Sequence, residues 1–153
     1  MQRILFSALL SAALLACAPR AAPPPAQEPA PVSRDLPAPL PYEAMRAIDI
    51  EDAGKTIELP VGATFVVQLV GVPTAGYLWK PVAPPAFLKA GPVTGGPTTK
   101  AQLQPGFAGG SHWEVFQFTA TAAGTGELVF EQRRPWETNE PPASTFKVTI
   151  KAQ

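Results

Sequence analysis

One cysteine and one histidine are all that the chain offers for thiol, imidazole or soft-metal chemistry. A single Cys cannot close an internal disulfide, and a single His cannot build a His-rich metal site. Nucleophilic hydrolases that rely on a His base are left with His112, which has Ser111 beside it and no orienting constellation in the sequence. An enzyme is therefore not expected. Charge of one sign is lacking too: twelve Lys and Arg balance twelve Asp and Glu over 153 residues. Phosphate backbones are bound through a basic surplus that releases counterions, so no nucleic-acid partner is expected. No metal and no organic cofactor is implied. Apolar residues at helical spacing are missing as well, because 20 Pro and 12 Gly punctuate the chain too often.

What is present falls into three segments. Residues 1–16 read as an address. Met1-Gln2-Arg3 is followed by an apolar run from Ile4 to Ala16, broken only by Ser7 and Ser11. A basic start and a run this short fit a secretory signal better than a bilayer span. The run ends Leu14-Leu15-Ala16-Cys17, which resembles a bacterial lipobox. The resemblance implies cleavage before Cys17, lipid on its thiol, and membrane attachment through that lipid. Several acyl chains on one Cys anchor firmly, at about 0.8 kcal/mol per buried methylene. Ala18, in place of Asp, implies sorting to the outer membrane of a bacterial envelope.

Residues 17–41 read as the lipidated Cys and a disordered tether. Pro19, Pro23, Pro24, Pro25, Pro29, Pro31, Pro37, Pro39 and Pro41 remove backbone donors and favour extended polyproline II geometry. At about 3.1 Å per residue, such a tether reaches roughly 70 Å when extended.

Residues 42–153 carry short strands separated by turns. Ala47 to Glu51 alternates, with Ile48 and Ile50 expected on one face. Thr56 to Leu59 is a short strand. Thr64 to Val70 is almost continuously apolar, as suits a strand buried on both sides. In Trp113 to Thr121, Phe116, Phe118 and Ala120 share one face. Gly124-Thr125-Gly126 turns into a strand from Glu127 to Gln132. In the last strand Phe146, Val148 and Ile150 point inward by a period of two. The expected fold is all-β, an immunoglobulin-like β-sandwich, with a small barrel as the alternative.

Three loops have more character than a connection needs. Val72-Pro73-Thr74-Ala75-Gly76-Tyr77-Leu78-Trp79 has small residues between a dihedral fixed by Pro73 and a Gly76 free to adopt positive φ. An ordinary turn beside a core Tyr and Trp accounts for it equally well when it is taken alone. Gly106-Phe107-Ala108-Gly109-Gly110 offers main chain without bulk. Arg133-Arg134-Pro135-Trp136-Glu137 places a large aromatic and a guanidinium where the chain leaves a strand, and both types are enriched at interface hot spots.

Together, in this order and on short strands, the loops resemble the chagasin-like inhibitors of papain-type cysteine peptidases. That family carries Asn-Pro-Thr-Thr-Gly-aromatic followed closely by Trp, then Gly-x-Gly-Gly, then Arg-Pro-Trp. The matching residues are Pro73, Thr74, Gly76, Tyr77 and Trp79, then Gly109 and Gly110, then Arg134, Pro135 and Trp136. Val72 stands for the Asn, Ala75 for the second Thr and Phe107 for the first Gly. The resemblance implies a sandwich with the three loops at one end, and reversible, noncovalent blocking of a peptidase cleft. The peptidase-binding residues it implies are Pro73, Thr74, Ala75, Gly76, Tyr77, Gly109, Gly110, Arg134, Pro135 and Trp136. Arg134 either supports its loop or pairs with an enzyme carboxylate. Trp79 is expected in the core, at the base of the first loop. The implied partner is a papain-like cysteine peptidase, bound by a monomer. The competing reading is an envelope binding or structural module that keeps the sandwich without inhibiting.

Overall fold

The structure, a computed structural model, describes residues 34–153. The signal segment 1–16, Cys17 and the tether as far as residue 33 lie outside the described residues.

Eight strands are present: β1 (Arg46–Ile48), β2 (Thr56–Leu59), β3 (Thr64–Gly71), β4 (Leu78–Val82), β5 (Leu88–Pro97), β6 (His112–Ala120), β7 (Gly124–Arg133) and β8 (Ser144–Ala152). They form two four-stranded sheets, ordered β1-β3-β6-β5 and β2-β8-β7-β4. Each sheet is antiparallel apart from one short edge strand, with β1 parallel to β3 and β2 parallel to β8. The all-β, immunoglobulin-like sandwich is thus the fold, and helical structure among the described residues is limited to short 3₁₀ turns.

Alternation along the strands builds the core between the sheets. Phe65, Val67 and Leu69 of β3 and Phe116, Phe118 and Ala120 of β6 face Leu128 and Phe130 of β7 and Phe146, Val148 and Ile150 of β8. Phe130 sits at the centre, with ring centroids 4.9 Å from Phe116 and 6.2 Å from both Phe118 and Phe146. Such aromatic pairs each add about 0.5–1.5 kcal/mol beyond the area they bury.

The β3 run is apolar on both faces because its sheet is covered on both faces. Val66, Val115 and Trp113 point away from the main core into a second apolar cluster, with Ala38, Ala44, Ala47 and Val70 packed on it. The cover is the segment Arg34–Pro41, which corrects the expected boundary at residue 42. Asp35 N and Leu36 N donate to Thr98 O, both at 3.0 Å. The Trp113 indole N–H donates to Leu36 O at 3.0 Å, and the Arg34 guanidinium lies 5.5 Å from the centre of the Trp113 ring. Proline-rich sequence has few donors to place, so it can lie on a sheet face without leaving buried N–H groups unpaired. This part of the expected tether is a strap on the domain.

Two further expectations are corrected. Ile50 does not join Ile48 in the core but is exposed, because the Asp49 carboxylate accepts from Glu51 N at 2.8 Å and starts a 3₁₀ turn at Ile50–Asp52. The Gly124-Thr125-Gly126 stretch is already ladder, since Gly124 pairs with Ala152.

Candidate functional site

Each of the three loops leaves the sandwich at the same pole. There β3 ends at Gly71, paired with His112 at the start of β6, and Pro97 at the end of β5 also pairs with His112. In the other sheet Leu78, at the start of β4, pairs with Arg133, at the end of β7. The first loop joins β3 to β4 and so crosses between sheets, the second joins β5 to β6, and the third joins β7 to β8.

The first loop is a closed structure. Val72 and Tyr77 exchange backbone hydrogen bonds at its neck, with Val72 N to Tyr77 O at 2.9 Å and Tyr77 N to Val72 O at 3.1 Å. Pro73–Ala75 form one 3₁₀ turn, and Gly76 ends it in the left-handed region at φ +80°. Val72, in place of the family's Asn, gives no side-chain hydrogen bond to this turn, so main chain alone closes the neck. Pro73, Thr74 and Ala75 are exposed at the tip, while Gly76 is buried.

The base is held by Trp79 and Glu114. Trp79 is buried, and its indole N–H donates to Val70 O at 2.9 Å, tying β4 to β3 across the two sheets. Its expected core position is what the structure has. Trp79 N donates to Glu114 Oε2 at 3.1 Å. The other oxygen, Oε1, is buried with no partner, and burial pushes the Glu114 carboxyl above the ordinary range, the Trp79 bond opposing it. Room for this carboxylate comes from Gly71, where a Cβ would overlap Oε1.

Arg134 belongs to the first loop as much as to its own. Its Nε donates to Ala75 O at 3.0 Å, its guanidinium carbon lies 4.4 Å from the centre of the Tyr77 ring, and its Nη1 pairs with Glu137 at 2.9 Å. These contacts are those a loop-supporting role requires. Trp136 then closes over Gly76 with its indole, leaving 67 % of the residue exposed. Pro135 is exposed beside it.

The second loop approaches the first at its tip. Gly109 and Gly110 take φ +88° and +93°. A Cβ on Gly109 would lie 3.9 Å from Thr74 Cγ2, which puts the loop backbone beside the tip of the first loop. Phe107 is exposed and borders Gly110, whose Cβ would lie 3.5 Å from the Phe107 ring.

All ten residues named from the sequence therefore lie in three loops at one pole. Sequence reasoning missed Glu114 and Gly71 beneath them. An isolated charge in an otherwise inward-facing β6 position, two before Phe116, was the available signal.

The surface these loops form is mixed in chemistry. It presents a small hydroxyl tip, bare glycine main chain on one flank and an aromatic on the other.

Comparison with known proteins identifies the family. The model of the chagasin family peptidase inhibitor I42 matches residues 58–150. No match was found among curated proteins. The crystal structure of EhICP2, a cysteine protease inhibitor from Entamoeba histolytica, is similar with a TM-score of 0.63 and 18 % identity, over 74 % of this chain and 99 % of that one. At that identity the likeness is one of fold. The solution structure of amebosin is similar with a TM-score of 0.56 and 26 % identity, over 71 % of this chain and 97 % of that one. The matched stretch takes in five of the eight strands from end to end, most of β8 and all three loops, so the chain belongs to the chagasin family of I42 peptidase inhibitors.

Proposed function

We propose that this protein is a reversible, noncovalent inhibitor of papain-like cysteine endopeptidases, and that it acts as a monomer from a bacterial envelope, held by lipid on Cys17. The observation that carries the inhibitory reading is the convergence of the three loops at one pole, with Arg134 and Trp136 both seated on the first loop.

Thr74 and Ala75 are narrow enough to enter a cleft. Their backbone is folded into a 3₁₀ turn closed by Gly76, whereas peptidases align extended chain for cleavage. The loop therefore fills the cleft without presenting a well-placed scissile bond. Its neck, its Ala75 carbonyl and its Gly76 are already engaged within the protein, so little conformational freedom is lost on docking. Gly109 and Gly110 bring main chain against one wall of the cleft, and Trp136 is a rigid anchor on the other. A contact of standard protease–inhibitor size buries about 1,600 Å² in total, with affinity set by such anchors rather than by area.

Steady-state inhibition of papain and a cathepsin L-type enzyme by the purified segment Arg34–Gln153 tests this. Substrate-competitive, reversible loss of activity at nanomolar to micromolar protein is expected, weakened by Thr74→Arg and Trp136→Ala without loss of folding. A folded protein that inhibits neither enzyme would leave the binding-module reading, which the departures at Val72 and Phe107 favour. The envelope location rests on the sequence around Cys17. Its test is incorporation of labelled fatty acid in a bacterial host, with loss of label in Cys17→Ser expected.

A further inference from the structure

The loop between β5 and β6 is long, runs from Thr98 to Ser111 outside the ladder, and includes three glycines at positive φ. Glycine loses more backbone freedom on ordering than any other residue. Something must hold such a loop if its main chain is to meet a partner without a large entropic cost.

The holding group is a single side-chain amide. Gln102, in the 3₁₀ turn Lys100–Leu103, accepts through Oε1 from Thr98 N at 2.7 Å and Thr99 N at 2.9 Å. Through Nε2 it donates to Ser111 O at 2.7 Å. Donors on one side and an acceptor on the other fix the orientation of the amide. Gln102 thus closes the neck of the loop from inside, joining the end of β5 to the start of β6. It also lies under the glycines, since a Cβ on Gly110 would be 2.9 Å from Nε2.

A second layer stands behind it. Thr98 is fully buried, and its hydroxyl lies 2.8 Å from Ser111 Oγ and 3.1 Å from Ser111 O. Thr98 O takes the Asp35 and Leu36 N–H groups of the strap. The Asp35 carboxylate accepts from Lys100 N through both oxygens, at 3.1 and 3.2 Å, at the start of the turn that carries Gln102. Strap, turn and loop neck form one hydrogen-bonded unit.

We propose that Gln102 is the positioning residue for the Gly109–Gly110 loop, and that Asp35 of the strap locks it in place. Gln102 acts through the loop and touches no peptidase. Its value for inhibition rests on the inhibitory reading above, whereas its hold on the loop does not.

The experiment uses the full chain and two variants, Gln102→Met, which keeps length and removes both polar atoms, and Asp35→Ala. Backbone ¹⁵N order parameters of Gly109 and Gly110 are read in each, together with the inhibition constant for papain and the thermal midpoint. In the wild type the two amides are expected near the value of about 0.85 typical of rigid backbone, and in Gln102→Met below about 0.6. The inhibition constant of Gln102→Met rises about tenfold through slower association, with a thermal midpoint close to wild type. Asp35→Ala shifts the order parameters and the inhibition constant in the same direction by less. Unchanged order parameters in Gln102→Met overturn the proposal. Unchanged order parameters in Asp35→Ala alone overturn the lock. A wild type that fails to inhibit papain and a cathepsin L-type enzyme counts against the inhibitory reading, and the order parameters still decide the role of Gln102.

Discussion

The indole of Trp136 covers Gly76 so closely that a Cβ at position 76 would lie 2.8 Å from Cζ2. The third loop therefore rests on the one residue of the first loop that must have no side chain. Gly76→Ala is expected to lift Trp136 off and to strain the left-handed turn, costing about 1–2 kcal/mol in denaturant unfolding. It also weakens inhibition of papain at least about tenfold. Trp136→Ala is expected to separate the two effects. It raises the inhibition constant by about 30-fold or more, about 2 kcal/mol for a central anchor, with little change in stability because most of the side chain is in water. Equal inhibition by Trp136→Ala and wild type would remove it from the binding surface.

Arg134 joins stacking on Tyr77 to a hydrogen bond with Ala75 O, which a planar guanidinium can do and an ammonium cannot do at once. Arg134→Lys is expected to keep the charge and still lose about tenfold in inhibition. If the role were a charge pair with the enzyme, Arg134→Lys would inhibit nearly as well as wild type. Titrating papain with this one variant decides between them.

Glu114 makes one contribution to the pH dependence of stability. Its folded-state pKa is raised above the ordinary 4.5 by burial, so the folded protein holds this proton more tightly than the unfolded chain does. The contribution is fully present below the unfolded pKa and is lost as pH rises through the raised value. Glu114→Gln keeps an acceptor for Trp79 N and removes the buried charge. Its urea midpoint is expected to match wild type near pH 3.5 and to exceed it at pH 7. A variant less stable than wild type at pH 7 would show that the charge is stabilised by its surroundings.

Removing the strap should uncover Trp113, Val66 and Val115. A protein beginning at Tyr42 is expected to be less stable than one beginning at Arg34 by about 2 kcal/mol or more, from lost apolar cover and the Trp113 and Thr98 hydrogen bonds. Urea unfolding of the two, with dye binding to report exposed apolar surface, checks this. Equal midpoints would mean that the strap rests on the sheet without stabilising it.

Strands whose side chains alternate were legible. Phe116, Phe118 and Ala120, and Phe146, Val148 and Ile150, face the core as their period of two requires. β5 was not, because Leu88–Pro97 is an edge strand whose residues are mostly exposed, with Gly, Pro and a bulge between Ala90 and Val93 in place of a pattern. Those same features protect an edge against pairing with another chain. The strap was concealed by composition, since proline-rich sequence reads as a tether whether or not it is docked. Its sign lay elsewhere, in the nearly continuous apolar run of β3 and the odd-numbered Trp113 and Val115, which demanded a cover on the second face. The loop motifs were readable as residues in order. Their mutual contacts were not, because Arg134 and Tyr77 are 57 positions apart and meet only through the β4–β7 pairing.

The strap has a consequence for direction. From Arg34, its first described residue, which lies on Trp113 near the pole of the three loops, it crosses the sheet toward Met45, which donates to Thr64 at the far pole. The backbone thus enters the folded domain beside its own wedge. If the chain is attached upstream of Arg34, the wedge lies at the same pole of the domain as the first described residue of the incoming chain. A captured peptidase would then share its side of the inhibitor with the incoming chain, and the number of residues between the attachment and Arg34 would act as a ruler for how bulky an enzyme can be admitted.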